Sequence, residues 1–252
     1  MRSLEKIWYL KHINLFRNLT DVEIGVLDRI TYMKDYSRHE QVYGQSDSGD
    51  VVYLLKEGRV KIYKLSPEGK ELTLAILEPG EIFGEMALID EGPRNTIAET
   101  LDDALLCVIR RRDFELLLKK KPELALRVTK LIGVRRREIK NQLENLVFRS
   151  APSRLALLLM ALAEKHGVRD SQGIIVNVKL SQQELANLIG TARETTSALL
   201  NEFKRLGLID IQSRRIKVLD QWQLKKVADA KVKDMPLQPE SESESEIENE
   251  SQ

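Results

Sequence analysis

The segment 83–96, FGEMALIDEGPRNT, combines residue types that suit an anionic ligand. Arg94 offers a guanidinium fork, and Gly84 offers a turn whose backbone N–H groups can point at a phosphate; both form charge-assisted hydrogen bonds. Glu85 can accept a hydrogen bond from a sugar hydroxyl. This segment, called the cassette below, therefore predicts a site for a small phosphate ester. The alternative is that Arg94 makes a structural salt bridge in a cassette that has lost its ligand.

A second polar cluster stands at the start of a predicted helix, in the segment TARETTSALL of residues 191–200. Thr191, Arg193, Glu194 and Thr195 can meet phosphates and base edges, whereas a purely structural helix would present an apolar packing face there. The cluster therefore favours contact with nucleic acid. An αα-hairpin within an ordinary core is the alternative.

Residues for metal or redox chemistry are scarce. The chain has one cysteine, Cys107, and three histidines, at positions 12, 39 and 166. One cysteine forms no intramolecular disulfide and no all-cysteine zinc site, and Cys107, within the apolar run LLCVI, is predicted to be a small buried hydrophobe. A metal-dependent enzyme built on a β-roll would need clustered ligands, and His39 is the one histidine near the predicted roll. We expect neither a metal nor an enzyme.

Length and charge indicate a two-domain globular protein. The 252 residues exceed the usual size of one domain, and 42% are hydrophobic. The sequence has neither an apolar run long enough to cross a membrane nor a signal peptide, so we expect no membrane association and a cytoplasmic location. The net charge of +1 conceals a basic region and an acidic region that offset each other. Residues 149–235 hold 15 Lys/Arg and 9 Asp/Glu, whereas residues 236–252 hold six glutamates and no basic residue.

The cassette lies in a β-rich region. Between residues 41 and 108, short β-branched and aromatic runs are separated by glycines at positions 58, 69 and 80, a spacing that predicts strands joined by turns with positive φ. We expect a barrel or a double-layered roll. Val60, Ile62 and Leu65 are predicted to be buried, and Lys61 and Lys64 to face water. Helical spacing precedes this region, with an N-cap signal at Thr20 for a helix to Ile30.

A long helix is predicted from Pro122 to Phe148, because Pro suits the first turn and apolar residues recur at intervals of three, four and seven. This stripe either packs on the roll or forms a coiled coil with a second copy of the chain. At about 1.5 Å per residue the helix is about 40 Å long, more than the roll can cover, which favours a dimer. The predicted dimer contacts are Val128, Ile132, Ile139, Leu143 and Leu146.

The second polar cluster lies in a predicted helix-turn-helix. A helix Arg154–His166 and one strand within 173–180 precede it; then Ser181 and Glu184 form a capping box, and Gly190 ends the first of the two helices. The second helix is predicted to run to about Leu206, and the runs LIDIQ and RRIKVLD after it predict a β-hairpin, or wing.

A β-roll, a long helix and a winged helix-turn-helix in this order, with the cassette and the segment 191–200, resemble the CRP/FNR family of bacterial transcription regulators over about residues 10–220. The resemblance implies an effector site on the roll, with cyclic AMP or another cyclic nucleotide as the first candidate. Asn95 and Thr96 depart from the Ser/Thr-Ala usual after the arginine, and Ile139 and Lys140 stand where the cyclic-AMP-responsive member offers hydroxyls. The implied effector positions are Gly84, Glu85, Met86, Arg94, Asn95, Thr96, Ile139 and Lys140.

The resemblance also implies that the second helix reads DNA. Arg193 resembles a residue that binds guanine with two hydrogen bonds, and Glu194 one that accepts from cytosine. Ala198 replaces an arginine usual in relatives, so part of the family half-site is read differently, and Thr196 occupies a position that is usually apolar. The predicted DNA contacts are Gln182, Thr191, Arg193, Glu194, Thr195 and Ser197.

Together these features predict an α+β protein with four regions: an effector-sensing roll (1–121), a dimerisation helix (122–148), a winged helix-turn-helix domain (149–235) and a disordered acidic tail (236–252) that competes with DNA phosphates. The expected function is a homodimeric regulator that binds a pseudo-palindromic operator in double-stranded DNA and contacts RNA polymerase. A small anionic effector controls it, or, in the alternative, the regulator acts without any effector.

Overall fold

A computed structural model describes residues 2–89, 92–212 and 215–230 of the chain. The predicted acidic tail therefore lies outside the described residues. Two helices open the chain, α1 (Arg2–His12) and α2 (Asp21–Ile30), with a 3₁₀ turn at Asn14–Phe16 between them. The predicted cap of α2 is confirmed, because the Thr20 side chain accepts from the Glu23 backbone and Glu23 bonds back to Thr20.

Eight antiparallel strands form the β-roll in two facing sheets, in the spatial orders β1-β8-β3-β6 and β2-β7-β4-β5. The predicted roll is confirmed. Cys107 is fully buried in β8, and burial raises the pKa of its thiol to about 11, as expected of a small core residue. The strands are β1 (Thr31–Tyr36), β2 (Gln41–Tyr43), β3 (Val51–Glu57), β4 (Val60–Leu65), β5 (Glu71–Leu77), β6 (Ile82–Phe83), β7 (Ile97–Thr100) and β8 (Ala104–Arg110).

The predicted glycine turns are confirmed, since Gly58, Gly69 and Gly80 all have positive φ. The turn at Gly58 needs glycine for a second reason: a Cβ there would lie 2.4 Å from the carbonyl oxygen of Asp103.

The predicted alternation in β4 is wrong at two residues. Lys61 is 9% exposed, whereas Leu65 is 42% exposed. Lys61 shares its face of β4 with Tyr63, which is also buried, so this face is covered as well as the face that carries Val60. The Lys61 ammonium lies 2.9 Å from Glu71 and 3.5 Å from Glu99, so its charge is paired within the sheet.

Helix α3 (Arg111–Lys120) leads into α4 (Pro122–Phe148), whose predicted bounds are confirmed. The first half of α4 packs on the roll, with Leu124 and Val128 buried among the core residues of α1 to α3. Its second half leaves a stripe of large apolar side chains exposed. That stripe contains Ile139, Leu143, Val147 and Phe148. Packing on the roll therefore accounts for half of the helix only.

The remaining described residues form the C-terminal domain around its own hydrophobic core. Two differences from the expected elements stand out. The predicted strand is confirmed as β10 (Gly173–Val176), but it pairs with a further strand, β9 (Gly167–Asp170), which was not predicted because all of its side chains are exposed. Helix α8 (Gln221–Asp229) was also not predicted. The elements are α5 (Ala151–His166), β9 (Gly167–Asp170), β10 (Gly173–Val176), α6 (Gln182–Ile189), α7 (Arg193–Arg205), β11 (Ile209–Gln212), β12 (Arg215–Val218) and α8 (Gln221–Asp229).

Candidate functional site

The cassette begins where β6 ends. Gly84 has a φ of +74° and starts a 3₁₀ turn, Glu85–Leu88. A Cβ at Gly84 would lie 3.0 Å from Nη1 of Arg94 and 3.1 Å from the carbonyl oxygen of Val51. Glycine is therefore required here both for the left-handed backbone and for the close approach of the arginine.

Arg94 lies across an aromatic cluster. Its guanidinium carbon lies 4.0 Å from the ring centre of Tyr43 and 5.7 Å from that of Tyr53, and Nη2 donates to the carbonyl oxygen of Val51 at 2.5 Å. The backbone of Arg94 is held at both ends, by Asp47 and by Ser46. The chain thus fixes the arginine with groups of its own.

The aromatic cluster is buried and rigid. Tyr53 stacks on Phe83 with ring centres 5.0 Å apart, and burial raises the pKa of Tyr53 to about 12. Burial also raises the pKa of Tyr43, whose hydroxyl bonds to Thr96. Two of the other predicted effector residues, Met86 and Asn95, are exposed at the rim.

An ion pair joins the cassette to α4. Glu85 is 5% exposed, and its Oε2 lies 3.0 Å from Nη1 of Arg135. Nη2 of Arg135 is buried, lies 3.9 Å from Glu81 and has no hydrogen-bond partner among the described residues. A buried donor of this kind suits an additional anionic acceptor, so the cassette fits a ligand that carries a phosphate.

The sequence interpretation missed Arg135 as a site residue. The signal was present, because Arg135 continues the spacing of Leu124, Val128 and Leu131 on the face of α4 that packs on the roll. Two predicted effector residues lie elsewhere on α4: Ile139 is 45% exposed, and Lys140 pairs with Glu144 one turn further on.

The predicted dimer residues divide among three environments. Val128 is 4% exposed and packs within the core of its own roll, with Ile132 half-buried beside it. Leu146 lies against the turn of the helix-turn-helix, close to Gly190. Ile139 and Leu143 are exposed. An intermolecular seam on α4 would therefore centre on its C-terminal half.

The helix-turn-helix has the local geometry that its sequence predicts. Ser181 and Glu184 form the capping box of α6, and Gly190, with φ of +63°, ends that helix. The N-cap of α7 is Ala192, whose side chain cannot accept from the first N–H groups, so these donors remain suited to a phosphate. Exposed at this end are the predicted DNA contacts Gln182, Arg193, Glu194 and Thr195, with Ser197 half-buried behind them.

The buried Thr196 has a structural explanation. Its hydroxyl oxygen lies 2.8 Å from that of Thr191 in the turn before α7, and its side chain is fully buried. Each hydroxyl satisfies the other, so a polar side chain is tolerated at a position that packs in the core. Thr191, a predicted DNA contact, is thus also engaged in fixing the turn.

Hydrogen bonds from α4 and α5 hold the helix-turn-helix in place. Gln142 Nε2 donates to the carbonyl oxygens of Thr73 in β5, at 2.8 Å, and Leu188 in α6, at 3.2 Å. Arg154 Nε donates to Ile189 at 2.8 Å, while its Nη1 donates to carbonyl oxygens at the end of α4. Burial lowers the pKa of Arg154. These contacts link the orientation of α6 and α7 to that of α4.

The roll also contacts the C-terminal domain directly through ion pairs. Glu78 lies 3.2 Å from Nζ of Lys165 and 3.0 Å from Nε2 of His166. Arg59, paired with Asp102 at 2.6 Å, donates to the carbonyl oxygen of Lys179. The two domains are thus joined both through α4 and across this second contact.

Two other kinds of site, a membrane-spanning helix and a metal site, are absent from residues 2–89, 92–212 and 215–230. No helix there is long and apolar enough to cross a membrane. No group of three histidine, cysteine, aspartate or glutamate side chains in the same residues is arranged to hold a metal ion.

Comparison with known proteins matches both domains. The model of the cyclic nucleotide-binding domain matches residues 33–121, and that of the Crp-like helix-turn-helix domain matches residues 153–227. The chain is 31% identical to the cyclic AMP receptor protein of Thermus thermophilus over 219 residues, which cover 87% of this chain and 98% of the relative. It is 28% identical to the CRP-like cAMP-activated global transcriptional regulator of Mycobacterium tuberculosis, covering 85% and 96%.

The fold matches as well. A mutant of CooA from Carboxydothermus hydrogenoformans superposes with a TM-score of 0.72 at 29% identity, covering 84% of this chain and 91% of that one. These relatives are transcription regulators and not enzymes, and they share the roll, long helix and DNA-binding helix-turn-helix in the same order. This chain is accordingly a transcription regulator of the CRP/FNR family.

Proposed function

We propose that the chain is a homodimeric, sequence-specific DNA-binding regulator whose activity is controlled by a small anionic effector bound at the cassette. The observation that carries this proposal is the ion pair between Glu85 and Arg135. It connects the predicted effector site to the helix that positions the helix-turn-helix, so a ligand that changes this pair acts on both.

The sequence-specific part rests on α7. Arg193 and Glu194 stand exposed at the first turn of this helix, which suits contact with guanine and cytosine in the major groove. Thr195 and the uncapped N–H groups beside them suit a phosphate. Ala198 offers no base contact, so the preferred half-site differs from that of relatives with arginine there.

The effector is proposed to be a cyclic nucleotide. The Thermus thermophilus and Mycobacterium tuberculosis relatives carry cyclic AMP in their names, and the cassette offers Gly84, Arg94 and the buried Nη2 of Arg135 to a phosphate. Ile139 and Lys140 supply no hydroxyl for the base, so base recognition differs from that of the cyclic-AMP-responsive member.

The dimer is proposed to form through the exposed stripe of α4. Large apolar side chains at 139, 143 and 147 follow one another at four-residue intervals on one face, and at 45–63% exposure they lack cover from their own chain. Burying them against a second copy would place two recognition helices at paired half-sites. RNA polymerase is the further partner that regulation of transcription implies.

The proposed mechanism is a shift between two arrangements of the domains. An effector stabilises whichever arrangement it binds more tightly. Binding would draw Arg94 from Val51 and change the pair of Glu85 with Arg135, and Gln142 and Arg154 would carry the resulting movement of α4 to α6.

An effector-independent regulator is the second candidate. It is favoured by the contacts of Arg94, which already bonds to Val51 and lies on Tyr43 without any ligand. In that case the cassette is a structural element, and the abundance of the protein controls its activity.

Calorimetric titration of the nucleotide-free protein with cyclic AMP and cyclic GMP separates the two candidates. We expect saturable binding that Arg94→Ala abolishes. Asn95→Ala, which removes an exposed side chain beside it, is the matched control and should weaken binding far less. Absence of binding by either nucleotide would overturn the proposed effector class and favour the effector-independent regulator.

A further inference from the structure

The acidic segment 236–252 lies beyond both matched domains. It holds six glutamates and no basic residue, and the Crp-like helix-turn-helix match ends at residue 227. The DNA-binding domain before it has an excess of basic residues. The charges of the two regions are thus complementary.

The chain leaves the described domain beside the start of α5, which in turn contacts the end of α6 before the recognition helix. At the end of α8, the carbonyl oxygen of Ala228 accepts from Oγ of Ser153 at 2.5 Å. The next residue, Arg154, donates to the carbonyl oxygen of Ile189 at 2.8 Å. Ile189 ends α6, and α7 begins four residues later at Arg193. Two successive contacts, made by Ser153 and Arg154, therefore link the end of α8 to the turn before α7.

The recognition surface carries cations that its own domain does not neutralise. Arg193 and Arg205 in α7 and Arg215 in β12 are exposed, and none has a carboxylate within ion-pair distance among the described residues. Lys204 and Lys217, by contrast, pair with Asp210 and Asp170. The three arginines remain available to an acidic partner.

The attachment permits this contact. Glu240 lies ten residues after Ala230 and can be at most about 35 Å from it, whereas the 13 residues of α7 span about 20 Å. Tethering at this range produces an effective concentration on the order of millimolar. Weak individual carboxylate–arginine contacts are then enough for substantial occupancy.

We propose that residues 236–252 dock in cis on the surface formed by α7 and β12 and compete there with DNA phosphates. This inference rests on the proposed DNA binding. Carboxylates replace phosphates at the arginines but offer no base edges to Arg193 and Glu194. Any duplex must displace the docked segment, so docking should lower the affinity for random and preferred sequences by the same factor.

The test compares full-length protein with a chain ending at Met235 and with a variant that replaces the six glutamates by glutamine. A variant with Ser241, Ser243, Ser245 and Ser251 changed to alanine keeps the charge and serves as the matched control. Fluorescence anisotropy measures affinity for a random-sequence duplex. We expect truncation and the glutamine variant to bind about 5- to 10-fold more tightly at low salt, with the difference vanishing as salt rises, and the serine variant to match full-length protein.

Equal nonspecific affinity of full-length and truncated protein would overturn the inference while leaving DNA binding intact. Tighter binding on truncation alone, without an effect of the glutamine variant, would also overturn it, because charge would then not be the cause. Failure of every variant to bind any DNA would overturn the proposed function itself.

Amide hydrogen exchange provides the test of position. Truncation should increase exchange in α7 and β12, which the docked segment would cover. A change confined to the roll or to the exposed stripe of α4 would show that the segment docks elsewhere and would overturn the inference.

Discussion

The cassette and the recognition surface both carry arginine and glutamate, yet the chain treats them differently. In the cassette, Glu85 is buried against Arg135, and Arg94 lies on Tyr43 and bonds to Val51. On α7, the side chains of Arg193 and Glu194 are exposed. A ligand at the cassette must therefore exchange contacts with the protein, whereas DNA meets side chains that are already presented.

This difference underlies the proposed control of one site by the other. In that proposal, a ligand that exchanges internal contacts at the cassette would move α4, because Arg135 belongs to that helix. The recognition surface needs no rearrangement of its own side chains but depends on its position, which Gln142 and Arg154 set. Substitutions in the cassette, in α7 and in the ion pairs of the roll test this contrast, in order of decreasing effect.

Glu85→Gln should have the largest effect, on the stability of the cassette. Removing the buried carboxylate leaves Arg135 without its ion-pair partner, and we expect the free energy of unfolding to fall by about 2–4 kcal/mol in denaturant titration. Glu81→Gln is the matched control, because Glu81 lies 3.9 Å from Arg135 and is 38% exposed. This variant should lower the free energy of unfolding by about 0.5 kcal/mol or less. Equal losses would contradict a cassette held by the Glu85 pair.

Arg193→Ala should remove sequence preference and leave the fold intact, because its side chain is exposed. We expect discrimination between preferred and random duplexes to fall by about 1–3 kcal/mol in competition binding. Arg205→Ala, in the last turn of the same helix, should weaken binding to both duplexes alike and keep their ratio. An unchanged ratio for Arg193→Ala would show that α7 does not read bases through this residue.

The contact between Glu78 and His166 should contribute modestly to the docking of the two domains. Its side chains are 27% and 16% exposed, so a double-mutant cycle of Glu78→Gln and His166→Gln should give a coupling energy of about 0.5–1 kcal/mol. The exposed pair of Lys140 and Glu144 within α4 serves as the comparison, and its coupling energy should be about 0.3 kcal/mol. A coupling of zero would mean that the two domains do not rely on this ion pair.

The smallest expected effect concerns pH. The Arg59 guanidinium holds the pKa of the Asp102 carboxyl below its ordinary value of 3.8. Asp102 therefore stabilises the folded protein above about pH 4, and this contribution is lost as the pH falls below that value. It should be below about 1 kcal/mol, because the side chain is 41% exposed.

Unfolding of wild-type protein and Asp102→Asn at pH 7 and pH 3 measures this contribution. The difference in free energy of unfolding between the two proteins should be smaller at pH 3, because the wild-type carboxyl begins to protonate there. A difference that is the same at both pH values would show that the pair with Arg59 does not depend on the charge of Asp102.

Local signals in the sequence predicted much of the fold. Pro122 and the apolar spacing predicted the bounds of α4, and Ser181, Glu184 and Gly190 predicted α6 and its turn, because caps and glycine turns depend on neighbouring residues. The burial of Lys61 was not predictable in this way, since it depends on contacts with Glu71 and Glu99 in neighbouring strands.

The contacts of the candidate site needed the structure. The pair of Glu85 with Arg135 joins residues 50 positions apart, and the Thr191–Thr196 hydroxyl pair requires the turn geometry. The cassette motif identified Arg94 as important but not its contacts with Val51 and Tyr43, which depend on how the two sheets close. Residue types thus predicted where the sites lie, and tertiary packing determined which groups remain available.

In the proposed mechanism, ligand binding at the cassette controls DNA binding at α7. Its most direct test measures affinity for a preferred duplex, obtained by selection from a random pool, as cyclic nucleotide is added to wild-type protein and to Arg94→Ala. We expect the nucleotide to change the affinity of wild-type protein for this duplex by about 5- to 150-fold. The affinity of Arg94→Ala for the same duplex should not change. Wild-type affinity that is the same with and without saturating cyclic AMP or cyclic GMP would contradict this mechanism.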